Sequence, residues 1–323
     1  MKKKLNSQKQ NSKISKQVTL VEVGLRDGLQ NESVFVSVDT RIQAAQKLID
    51  AGLQKLEIGS FVRADWVPQM AGSHEVITKL LALQKKKKIS SGVEFSALVP
   101  NAKGFEGALQ TGIQEIAVFA SCSEGFSQKN LNCSIQESFE RFEKVFALAK
   151  KHKLKVRGYL SVCFGCPIDG EVPETRVVKI AQKLIQMGAY EVSIGDTIGI
   201  AHIQQIESLF TKLKKVIPVH QLAGHFHDTR GQALANILMA YNLGIRVFDT
   251  SIGGLGGCPY APGATGNVAT EDVAYMFSKM KVLKKIQLEK LIETSQWLGT
   301  QMNKQLPSKV ALVKKNKSSN KKR

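Results

Sequence analysis

Eight short apolar runs, each followed by a longer amphipathic stretch, restrict this chain more than any other feature. The runs occupy residues 18–23, 55–58, 93–98, 115–120, 155–161, 191–194, 222–227 and 247–251. Apolar runs this short read as buried strands. Residues 39–51 set Ile42, Ala45, Leu48 and Ile49 at helical spacing, and 134–152 and 229–243 read as helices in the same way. Gly52, Gly112, Gly188 and Gly244 stand where helices end before the next strand, the place for a left-handed C-cap. Strand, helix, strand, repeated eight times, requires parallel strands joined by crossovers. Eight such units close into a (β/α)8 TIM barrel of the α/β class. A doubly wound open sheet is the alternative. No Gly-x-Gly-x-x-Gly follows the first strand, which weakens a dinucleotide-binding reading of that sheet.

Charge is concentrated at the two ends. The chain has 323 residues and a formal net charge of +19. Residues 1–17 contain six lysines and no acid, and residues 304–323 contain eight basic residues and no acid. The barrel is thus expected at 18–283 and a small helical extension at 284–304. Residues 1–17 and 305–323 are expected to be solvated, disordered basic tails. With the charge placed there, no specific nucleic-acid partner is expected. No run of 18 uncharged apolar residues exists, so membrane insertion is not expected either. The first 17 residues lack an apolar h-region and any arginine, unlike a secretory signal or a mitochondrial transit peptide. Five irregularly spaced cysteines make no disulfide framework. The expected compartment is the cytoplasm.

In a TIM barrel, chemistry gathers at the C-terminal strand ends. Arg26 and Asp27 follow the first strand there, Glu57 lies on the second, Asp196 follows the sixth, and His225 and His227 end the seventh. Alternation along a strand sends both imidazoles to one face and Phe226 to the other. Two readings fit the pair: adjacent ligands to one cation, or structural histidines in the barrel mouth. Asp27 on the same rim favours the cation, and two imidazoles with one carboxylate suit Mg²⁺ or Mn²⁺. Cys163 and Cys166 form a lone C-x-x-C, better read as packing than as zinc or redox chemistry. The glycine-rich stretch 252–269 carries Cys258, either a small residue in a tight loop or a proton donor on a mobile one.

Four segments together resemble one family. VEVGLRDGLQNE at 21–32, GDTIG at 195–199, HFHDTRGQALAN at 225–236 and GGLGGCPYAPGATGN at 253–267 are similar to motifs of the 3-hydroxy-3-methylglutaryl-CoA lyases. The last is highly specific, while the first is shared with other barrel enzymes that make or break carbon–carbon bonds. The resemblance covers about residues 18–300. It implies a divalent cation held by Asp27, His225, His227 and Asn267. Arg26 and Cys258 are implied as catalytic residues, with Glu57 and Asp196 as supporting polar groups and Gln30 and Asn31 near the substrate. It further implies an acyl-CoA substrate and a homodimer. Leu25 departs from the proline usual before the Arg-Asp pair, and Arg230 stands where tyrosine is common.

The reaction so implied is a retro-Claisen cleavage of 3-hydroxy-3-methylglutaryl-CoA into acetoacetate and acetyl-CoA, as in leucine degradation and ketone-body formation. The substrate hydroxyl needs a cation to lower its pKa and a base, for which Asp27 is nearest. The developing enolate needs a fixed donor, Arg26, and an acid, Cys258. A Claisen-type acyl-CoA synthase acting on a 2-oxo acid shares the fold. Such synthases carry His-x-His-Asn-Asp, whereas this chain reads His-Phe-His-Asp-Thr at 225–229. A third reading is a basic binding protein that acts through its charged ends.

Overall fold

The structure, a computed structural model of the chain, describes residues 16–258 and 261–313, with side chains for all of these except 258 and 261–265. Eight parallel strands close a barrel in sequence order. They are β1 (Thr19–Glu22), β2 (Lys55–Ser60), β3 (Glu94–Leu98), β4 (Glu115–Ser121), β5 (Lys155–Ser161), β6 (Glu191–Asp196), β7 (Leu222–Phe226) and β8 (Val247–Thr250). Closure is made by β1 against β8, with Thr19 opposite Val247 and Glu22 opposite Thr250. The expected runs and the observed strands agree to within two residues at each end. Each run contains residues that the barrel buries on both faces, so the apolar signal is continuous.

Around the strands lie α1 (Val38–Asp50), α2 (Ser73–Lys85), α3 (Ala102–Thr111), α4 (Glu124–Leu131), α5 (Ile135–His152), α6 (Glu174–Met187), α7 (Ile203–Leu213), α8 (Ala233–Asn242) and α9 (Thr270–Lys279). Local chemistry fixes their ends. Ser134 and Glu137 form a reciprocal capping box at the start of α5, whose buried stripe is Phe139, Phe142, Val145, Phe146 and Ala149. Gly112 and Gly188 end α3 and α6 in the left-handed conformation. The helix expected from residue 229 begins only at Ala233. Asp228 Oδ1 accepts from Ala233 N at 3.1 Å, which caps the helix there and leaves 229–232 as a turn.

The extension is a single helix, α10 (Leu288–Gln301), seated on α1, with Gln287 N donating to Ala51 O at 2.8 Å. The segment expected to be tail from residue 305 departs from that expectation. Leu306, Ser308 and Ala311 are buried, and residues 309–313 form a helical turn packed on the barrel. A short apolar sequence among lysines is enough to anchor the backbone where two buried acceptors await it, as described below. The remainder of both expected tails, 1–15 and 314–323, lies outside the described residues.

Candidate active site and metal centre

The chain leaves β1 through one turn of π-helix, Gly24–Gly28, closed by Gly28 N donating to Val23 O at 3.2 Å. Such turns are rare and frequent at functional sites. This one turns the consecutive side chains of Arg26 and Asp27 toward the barrel mouth. Leu25, the departure from proline, is buried beneath it. Two strands round the ring, β7 and the residue that follows it place His225 and His227 inward and Phe226 outward into the helix layer, where it is fully buried. The His225 and His227 rings are 5.2 Å apart, and His225 Nε2 is 4.0 Å from Asp27 Oδ2. One ligand atom from each of Asp27, His225 and His227 lies within 4.8 Å of the other two. The distant segments predicted to meet do meet.

Asn267 joins them from the return of the glycine-rich stretch. Its Nδ2 donates to Asp27 Oδ2 at 2.7 Å. The amide oxygen is therefore the atom Asn267 has to offer a cation. Arg26 is fixed by two carboxylates, with Nε 2.6 Å from Glu57 Oε2 and Nη1 2.7 Å from Asp27 Oδ1. Its guanidinium also lies over the Tyr159 ring, 5.3 Å from the centroid, and Tyr159 Oη donates to Glu57 at 3.2 Å. Glu57 thus stands behind Arg26 and orients it. Asp196, implied as a supporting polar group, gives its support through the backbone. Its oxygens accept from Ile200 N (3.0 Å) and Ala201 N (3.1 Å), so it shapes the turn after β6. Burial raises its pKa to about 6, against those two amides. Arg230 donates to Ile198 O at 2.8 Å and latches that same turn.

Burial tends to raise the Asp27 pKa, but Arg26, His225, His227 and the Asn267 amide outweigh it and hold the carboxyl well below its usual range. Burial, with His225 beside it, pushes His227 down to about 3, so that imidazole is neutral. Its Nδ1 is buried without a hydrogen-bond partner. Burial also opposes charging His225, but Asp249 and Asp27 prevail and its pKa is raised. An ionised carboxylate, a neutral imidazole and a buried nitrogen with no protein partner fit a divalent cation.

Behind His225 is a group that the strand-end reading missed. Asp249 on β8 sits opposite His225 in register and takes its Nδ1 at 3.3 Å. A carboxylate only accepts, so Nδ1 carries the proton and Nε2 faces Asp27. Ser193 Oγ donates to Asp249 at 2.6 Å, and Arg157 lies 2.8 Å from it and 2.8 Å from Glu191. The signal was present: charged residues at alternate positions inside apolar strands must face the barrel interior. A cleft of about 360 Å³ opens over the site. Arg26, Asp27, Gln30, Asn31, His225 and His227 line it, opposite an apolar wall of Leu98, Phe119 and Phe126. Gln30 Oε1 is buried there without a partner. Cys258 pairs through its backbone with Ala261 in the two-stranded β9 (Gly257–Cys258) and β10 (Ala261–Thr265), and its side chain lies outside the described residues.

The motifs that form this mouth belong to a recognised sequence family: the HMGL-like model matches residues 17–298. The chain belongs to that family. A Pseudomonas aeruginosa protein named 3-hydroxy-3-isohexenylglutaryl-CoA/hydroxy-methylglutaryl-CoA lyase is 48% identical over 298 residues, covering 92% of this chain and 97% of its own. The human mitochondrial hydroxymethylglutaryl-CoA lyase is 43% identical over 298 residues, covering 92% of this chain and 90% of its own. The crystal structure of hydroxymethylglutaryl-CoA lyase from Pseudomonas aeruginosa superposes with a TM-score of 0.88 at 47% identity, covering 94% of this chain and 99% of that one. The carboxyl transferase domain of Rhizobium etli pyruvate carboxylase, at 17% identity and a TM-score of 0.65, shares the fold.

Proposed function

We propose that this chain is a divalent-metal-dependent carbon–carbon lyase that cleaves 3-hydroxy-3-methylglutaryl-CoA to acetoacetate and acetyl-CoA. The observation that carries this reading is the convergence of Asp27, His225 and His227 beside Arg26 at the barrel mouth. The naming of its relatives as lyases favours cleavage over a Claisen-type condensation with a 2-oxo acid.

Asp27, His225, His227 and the Asn267 oxygen would hold Mg²⁺ or Mn²⁺, which lowers the pKa of a nearby hydroxyl and favours its alkoxide. In the reaction the tertiary hydroxyl loses its proton, the C2–C3 bond breaks, and its electron pair passes to the thioester enolate. To Asp27, the ionised carboxylate of the cluster, we assign receipt of that proton. Arg26, fixed by Glu57 and Asp27, supplies a pre-oriented donor to the enolate oxygen, a contribution worth about 10²–10³ in rate. Cys258 follows the cleft-lining Gly257 in β9, and we assign its thiol the protonation of the enolate carbon. Gln30 and Asn31 line the cleft as substrate-binding groups, the Gln30 oxygen being an acceptor in want of a donor. Asp196 we read as a positioning residue that acts through its turn.

No helix among the described residues is long and apolar enough to cross a membrane. We place the enzyme in the cytoplasm on its cysteine usage and infer a homodimer from the resemblance. The test is incubation with 3-hydroxy-3-methylglutaryl-CoA, following acetoacetate with and without EDTA. Cleavage that EDTA stops and added Mg²⁺ or Mn²⁺ restores is expected. Turnover unchanged by chelation would overturn the metal assignment.

A further inference from the structure

The glycine-rich stretch leaves the barrel after β8 and returns to deliver Asn267 to Asp27. It therefore has two stalks, 252–257 going out and 266–269 coming back. Both are held by residues 304–311, which lie beyond the segment that the family model matches.

On the outgoing stalk, Gly253 and Gly254 have φ of +65° and +73° and present bare backbone to the C-terminal segment. A Cβ on Gly253 would collide with Leu306, and one on Gly254 would stand 3.1 Å from Pro307 Cγ. Ser308 N donates to Gly253 O at 3.2 Å. Lys304 Nζ reaches the buried Glu32 carboxylate at 2.7 and 2.9 Å, and Glu32 Oε1 accepts from Gly256 N at 3.4 Å. The returning stalk is gripped through α9, which begins at its foot. Asp272 Oδ1 accepts from Ser308 Oγ and Val310 N, both at 2.9 Å, and its Oδ2 accepts from Lys309 N at 3.1 Å. Lys309 Nζ lies 2.7 Å from Asp228 Oδ2, and Asp228 N donates to Gly266 O at 2.7 Å. Gly266 N closes the base of the loop by donating to Gly256 O at 2.8 Å.

We propose that residues 304–311 are a clasp that fixes both stalks and thereby the placement of Asn267 against Asp27, with Lys304 its principal positioning residue. This rests on the lyase reading of the site. The relay is short: Lys304 sets Glu32, Glu32 sets Gly256, and Gly256 packs under the Asn267 amide. Lys304 is itself half exposed. The pair matters through the orientation it imposes on the buried Glu32 carboxylate.

The test compares the full-length wild type with Lys304→Met, which keeps the aliphatic stem, and Lys304→Arg, which keeps the cation. Hydrogen exchange of the amides at 253–257 is read beside kcat and KM with Mg²⁺ present. In Lys304→Met the Gly256 amide is expected to exchange at least tenfold faster and kcat to fall about tenfold, with KM within twofold. Lys304→Arg is expected to restore both. Unchanged exchange in Lys304→Met, or faster exchange with full kcat, overturns the clasp as a positioning element. So does failure of Lys304→Arg to rescue. A wild type that cleaves no 3-hydroxy-3-methylglutaryl-CoA would sink the lyase reading instead, and the exchange comparison would still decide whether Lys304 holds the stalk.

Discussion

At His225, the ring nitrogen facing away from the cleft meets Asp249, and Asp249 in turn meets Arg157 and Ser193. Partners of this kind set the tautomer of a ligating imidazole and raise its basicity, and removing one lowers metal affinity by about 10–100-fold. Asp249→Asn is therefore expected to bind Mn²⁺ about 10–100-fold more weakly by calorimetric titration while the fold persists by circular dichroism. Wild-type affinity in that variant would show that the Asp249 carboxylate does not tune the site. At this scale the sequence was legible wherever a residue's position along a strand determines its direction. His225 and His227 fall two apart, and Arg26 and Asp27 follow a strand end. Asp249 escaped because its partners belong to three other strands, and neighbourhood across a barrel is set by register, which no local pattern records. Asp196 shows the converse: it stands at a strand end, yet nearby backbone amides occupy its carboxylate.

Strands and helices were legible to within a few residues because burial imposes their periods. The connections were less so, since their conformations follow from contacts made at a distance. The turn at 229–232 replaces a helical start because Asp228 caps Ala233 instead. The glycine-rich stretch could be recognised as unusual, but nothing in it announces which glycines are indispensable. Gly256 has φ of +111° and a Cβ there would lie 2.8 Å from Asn267 Nδ2. Gly256→Ala therefore meets backbone strain of about 1–3 kcal/mol and displaces the very amide that faces Asp27. Its Tm is expected to fall by several degrees and its kcat by at least tenfold. A Gly256→Ala protein with wild-type kcat and Tm would refute this reading of the stalk.

For the whole molecule, two buried carboxyls make stability depend on pH. Burial, outweighing Thr270 and two backbone amides, pushes Glu22 from 4.5 up to about 7. Burial likewise pushes Glu271 from 4.5 up to about 7, outweighing Ser295 and the Gly253 amide, with Asp272 adding to the rise. Each folded-state pKa is above its unfolded value, so the native state holds these protons more tightly. The stability they contribute is complete below pH 4.5 and is lost as pH rises through about 7. Glu271→Gln carries no such proton. Relative to wild type, its unfolding free energy is expected to rise by roughly 1–3 kcal/mol between pH 4.5 and 7, measured by urea denaturation. A constant difference across that window would show that Glu271 does not titrate there. The two carboxyls sit where β1, β8, α9 and α10 come together, at the seam that closes the ring.

That seam has a consequence for synthesis. Asp27 leaves the ribosome roughly two hundred residues before His225 and His227, and Asn267 follows later still. Until the eighth strand is translated and zipped to the first, the would-be ligands are strangers on one thread. Capture of the proposed ion would thus belong to the final act of maturation, since a polypeptide without its eighth strand would lack the assembled ligand set.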